Sequence, residues 1–143
     1  MNVVDGSGEI VPEPDWSSLL NDVLEIAAAQ AHWRRIVSEL RDRDLLAPAN
    51  AHAMQRLICA YLVFDRASRE VAEHGAVTKP RRGNSKAIAR VSPHFTVMRE
   101  AGSDAAVIEA ELGLSPRRRS AVTKVERAKK APRAADRFLR SVS

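Results

Sequence analysis

Between Asn50 and Gly75 the apolar residues fall on one helical face. Met54, Leu57, Ile58, Tyr61 and Leu62 recur at intervals of three and four, and Asp65 and Val71 extend the outline. Asn50 can cap the start of this helix, and Gly75 can end it, because a residue without Cβ accepts the left-handed turn that follows a last helical turn. A strand would need alternation by two, so the segment is helical and its apolar face needs a cover. Tyr61 and Phe64 read as packing residues rather than a base-stacking platform.

The flanking segments offer that cover. Trp16, Leu20, Val23, Leu24 and Ala27 stand at helical spacing, and Trp33, Ile36, Val37 and Leu40 continue it. Asp15 suits the N-cap, and the stretch forms either one long rod or a helix bent near Ala27–Ala29. It should stop near Asp44, because the proline at 48 disfavours helical geometry at Ala47. A further helix is expected from about Pro93 to Leu112, with Met98, Ala101, Ala105, Ile108 and Leu112 as its seam. Two heptads are too few for a coiled coil, so the seam is expected to pack on the 50–75 helix. Between them, Ala76–Lys79 and Lys86–Val91 form either two short strands around Arg82–Ser85 or an unpaired loop.

The expected fold is therefore all-α: an antiparallel helical hairpin core with a short β-hairpin or loop at 76–92. Leu57, Ile58, Tyr61, Leu62, Met98, Ile108 and Leu112 are the candidate core and oligomer contacts. Residues 1–14 are expected to be disordered, 15–122 to form the helical core and oligomerisation domain, and 123–143 a basic tail. A hydrophobic content of 45% suffices for the core of one domain, and the low aromatic share with abundant alanine favours closely packed helices. The N-terminus lacks the basic and apolar regions of a signal peptide, and no apolar run approaches the roughly 18 residues of a membrane span. The single cysteine, Cys59, excludes an intrachain disulfide and suits a cytosolic setting.

Charge is unevenly placed. Residues 1–75 carry net −5, residues 76–116 net +2 and residues 117–143 net +8. That asymmetry suggests a folded body with a polyanion-binding end; the plain alternative is a solvated tail. The transition between the two is "ELGLSPRRRSAV", Glu111–Val122. Gly113 ends one helix, Leu114 packs back on it, Ser115 caps the next, and Pro116 takes its first position. Arg117, Arg118 and Arg119 then crowd a helix start, where positive charge is locally unfavourable, so an anion is the suspect. Some of these arginines could pair with Glu109 or Glu111. Arg117, Arg118, Lys124, Lys129 and Lys130 are the first candidates for phosphate contacts. Arg81, Arg82 and Lys86 form a second patch, with no acidic residue between positions 76 and 93.

Catalytic and metal-binding patterns are missing from the sequence. There is no G-x-x-x-x-G-K-[ST] phosphate loop, and His32, His52, His74 and His94 are scattered singly. Glu39, Asp42 and Asp44 read as a solvated helix end. No enzyme activity, metal or cofactor is expected.

"AHWRRIVSELRDRDLL", the Asn50 helix running to "REVAEHGAV", "ARVSPHFTVM" and "ELGLSPRRRSAV" together resemble a small terminase subunit of tailed phages, in the P27-like family. The resemblance covers about Ala31 to Val122. Its most specific element is Leu112-Gly113-Leu114-Ser115-Pro116 with Arg119 downstream, where the family has "LGLTP" and an arginine; Arg119 is accordingly assigned a structural pairing. Ser115 replaces the usual threonine, and Ser92-Pro93 the usual asparagine-proline. The resemblance implies a helical, ring-forming homo-oligomer in the host cytoplasm. It would bind double-stranded viral DNA and regulate the large terminase subunit, which holds the ATPase and nuclease. Two rivals remain: a scaffold whose basic tail docks on the large subunit with DNA incidental, and a helix-turn-helix regulator built on Leu45–Asn50.

Overall fold

The computed structural model describes residues 11–79, 83, 86 and 88–115. A short helix, α1 (Trp16–Leu19), leads into α2 (Val23–Asp42). A 3-10 turn at Pro48–Asn50 opens α3 (Ala51–His74). A two-stranded hairpin, β1 (Val77–Thr78) and β2 (Arg90–Val91), then returns the chain into α4 (Pro93–Glu111).

Asp15 caps α1 as expected, its carboxylate accepting from the Ser17 amide. The bend comes earlier than Ala27–Ala29. Asp22 caps a new helix by accepting from the Leu24 amide at 2.8 Å, so the apolar spacing from Trp16 to Leu24 crosses a break. Val23 and Leu24 consequently point outward, 76% and 78% exposed. The packed structure also begins before residue 15: Val11 is buried, and Glu13 accepts the Trp16 indole N–H at 3.0 Å.

Three long helices form the body. Arg66 of α3 grips Glu25 near the start of α2 through two hydrogen bonds of 3.0 and 2.7 Å, and His32 lies against the Tyr61 ring. Helices α2 and α3 therefore stay together along most of their length and run antiparallel. A helix-turn-helix would instead splay them at about 90–120°. Helix α4 returns antiparallel to α3: Ser92 bonds Ala76 at one end, Phe64 packs over Gly102, and Tyr61 reaches Glu109.

The core is continuous through one chain. Trp33, Ile36, Leu40, Met54, Leu57, Ile58, Leu62, Ala105 and Leu112 are buried together, with Trp16 edge-on to Trp33 at 6.2 Å. Of the expected core and oligomer contacts, Leu57, Ile58, Leu62 and Leu112 are fully occupied inside this chain, while Tyr61, Met98 and Ile108 are half-buried. The α4 seam packs on α3, as the pattern implied. Cys59 is half-buried, and burial pushes its thiol pKa up.

The 76–92 region is a β-hairpin. Val77 pairs with Val91 and Thr78 with Arg90, and the Thr78 hydroxyl donates to the Arg90 carbonyl at 3.1 Å. Gly75 ends α3 at φ 85°, where a side chain would be strained. Asn50 departs from expectation: its side chain makes no cap bond, and its amide donates to the Leu45 carbonyl instead.

Candidate functional site

The sequence placed its main functional feature where α4 gives way to the basic segment. That end of α4 closes as a Schellman turn. Gly113, at φ 75°, bonds Ala110 O at 3.3 Å, and the Leu114 amide bonds Glu109 O at 2.8 Å. Leu114 packs against the core cluster, as expected. The stop needs Gly113, because the left-handed region costs most side chains about 1–2 kcal/mol.

Helix α2 ends in the same way on a residue that has a side chain. Asp44, at φ 57°, bonds Arg41 O at 3.0 Å, and Leu45 bonds Leu40 O at 2.8 Å. The two helix ends are joined by Arg43. Its guanidinium pairs with Glu39 one turn back and donates to the Gly113 carbonyl at 3.2 Å. Nothing in the sequence flags Arg43, because its partner lies seventy positions away.

Helix α3 also holds this end. Tyr61 Oη donates to Glu109 Oε1 at 2.6 Å, while Arg35 and His32 flank its ring. Glu109, one of the two carboxylates that a corner arginine could pair with, accepts from the Tyr61 hydroxyl; the arginines themselves lie outside the described residues. Burial first and the Glu109 carboxylate second push the Tyr61 pKa well above its usual range. Burial, helped by Arg35, lowers that of His32. A chain leaving Ser115 starts from an anchor tied to all three helices.

The candidate cations divide. Pro116, Arg117, Arg118, Arg119, Lys124, Lys129 and Lys130 lie outside the described residues, as do Arg81 and Arg82. Lys86, together with the hairpin cations Lys79 and Arg90, is described and exposed. The described hairpin cations Lys79 and Arg90 and the Gly113–Ser115 corner sit at opposite ends of α4, a helix of 19 residues, about 28 Å apart along its axis. Among the described residues no group of three or more His, Cys, Asp or Glu could hold a metal ion. No described helix is long and apolar enough to cross a membrane.

A family model described as phage terminase, small subunit, matches residues 29–129. The chain belongs to that family. The match opens in α2, covers α3, the hairpin and α4, and passes through the corner to Lys129. Membership of the phage terminase small subunit family gives the chain a phage packaging role. No curated protein and no solved structure matches it.

Proposed function

We propose that this small terminase subunit, of the P27-like type, is a non-catalytic, oligomeric DNA-recognition component. It works in the host cytoplasm, binds double-stranded viral DNA, and recruits and regulates the large subunit at the start of packaging. The observation that carries this reading is the match across residues 29–129, which joins the helical body to the basic segment as one unit. The charge distribution supports it: net +8 follows a corner held by α2, α3 and α4.

Mechanistically, Lys124, Lys129 and Lys130, with Arg117 and Arg118, neutralise phosphates and release counterions. The hairpin cations Lys79 and Arg90 stand about 28 Å from the corner along α4 and offer the DNA a second point of contact. Ring symmetry repeats such weak contacts and raises avidity without new chemistry. Because the α3–α4 seam is covered within the chain, a neighbour is expected on Leu19, Val23 and Leu24, which stand exposed at the α1–α2 break.

The test is DNA affinity against salt concentration for the wild type and a K124A/K129A/K130A variant. The triple variant should bind more weakly, with a log–log slope shallower by about 2.7 if all three touch phosphate. An unchanged slope would place the contact elsewhere. The scaffold alternative is distinguished by truncation after Val122: loss of large-subunit binding with DNA binding intact would favour it.

A further inference from the structure

Beside its buried seam, α4 carries a second stripe. Val97, Glu100, Asp104, Val107 and Glu111 recur at intervals of three and four, and all are exposed. They line one side of an open groove of about 720 Å³, with His52, Arg56, Cys59 and Val63 of α3 on the other side. Glu100, Asp104 and Glu111 have no ion-pair partner among the described residues. Three carboxylates against one cation, Arg56, leave the edge of this partly apolar channel net negative, which suits a cationic, amphipathic occupant.

The sequence supplies one at the right place. The described chain ends at Ser115, beside the Glu111 end of the groove. Between Pro116 and Pro132 stand Val122, Val125 and Ala128 among seven Lys and Arg and one Glu. These fifteen residues equal in number those from Val97 to Glu111, so as helices the two spans would match at about 22 Å. The spacing agrees as well: Glu111 and Asp104 are seven apart, as are Arg117 and Lys124.

We propose that residues 117–131 fold back into this groove of their own chain, antiparallel to α4, when DNA is absent. Arg117 then lies beside Glu111 and Lys124 beside Asp104, while Val122 and Val125 turn toward Cys59 and Val63. Docking rests on the groove and its charges alone. Its consequence rests on the DNA reading: cations held by the groove are withheld from phosphate, so DNA and the groove compete for one segment.

Cys59 is the only native cysteine, and the proposed register brings Val122 closest to it, so a V122C substitution in the full chain gives a direct proximity test. Mild diamide oxidation without DNA should join Cys59 to the introduced thiol by a disulfide within single chains, seen on a non-reducing denaturing gel and by peptide mass. The yield should fall several-fold in an E100K/D104K/E111K background whose helical content is unchanged, and V142C should not cross-link. Absence of the intrachain disulfide, or equal yield in the charge-reversed background, would overturn the proposal. Disulfides formed only between chains would also overturn it, by giving the groove to a neighbour's segment. Added duplex DNA separates the two readings. A lower yield supports both, whereas an unchanged yield keeps the docking and removes these cations from the DNA contact.

Discussion

Arg43 Nη1 donates to the Gly113 carbonyl oxygen at 3.2 Å, linking the left-handed ends of α2 and α4. A single charge-assisted bond at a half-buried site is worth about 1 kcal/mol after solvent screening. Arg43→Ala should therefore cost about that much stability. It should also speed hydrogen exchange at the Leu114 and Ser115 amides more than at mid-helix amides. Uniform exchange along α4 would show that the corner does not depend on Arg43.

Tyr61 is the chain's only tyrosine, so phenolate absorbance reads it alone. Its pKa is raised in the folded state by burial and by Glu109. The associated stability is complete below the unfolded value of about 10 and is lost as pH climbs through the folded value. Titration of the folded protein should show an ionisation midpoint well above 10, and Glu109→Gln should lower it. A midpoint near 10 in folded protein would deny the hydrogen bond.

His32 shifts the other way, through burial and then Arg35. Folding favours its neutral form, so this contribution is present above about pH 6.5 and declines as pH falls. Proton NMR should find its midpoint below that of a free histidine, and Arg35→Ala should raise it. An unchanged midpoint in that variant would remove Arg35 as a cause.

Gly102 sits inside α4 with its missing Cβ 3.4 Å from the Phe64 ring, an ordinary contact. Alanine should fit and relieve the helix of glycine's entropy cost, so Gly102→Ala should stabilise by roughly 0.5–1 kcal/mol. A loss of stability in thermal unfolding would mean that Phe64 cannot give way.

Core and contact surfaces respond differently to charge. Ile58 is fully buried, so Ile58→Glu should abolish the fold by burying an unpaired carboxylate. A V23E/L24E variant should keep its circular dichroism and lose assembly. A fully assembled V23E/L24E protein would exclude the α1–α2 break as the subunit contact.

Helices α3 and α4 were legible because their signals are local: apolar residues at helical spacing, with Gly75, Pro93 and Gly113 as punctuation. The start of α2 was not, since Asp22 caps a helix inside a stretch whose spacing continues unbroken through it. Asn50 misled because the 3-10 turn before it leaves its amide free to bond Leu45. Arg43–Gly113 and Tyr61–Glu109 join residues 70 and 48 positions apart, and no local pattern encodes such pairs. The basic regions could be read from composition, but the separation of the hairpin from the Gly113 corner by the length of α4 required the fold.

Native mass spectrometry of the full-length protein without DNA addresses the central claim most directly. A discrete closed oligomer larger than a tetramer is expected, with subunits meeting outside the α3–α4 core. A monomer or dimer that persists across concentration would contradict the ring-forming adaptor.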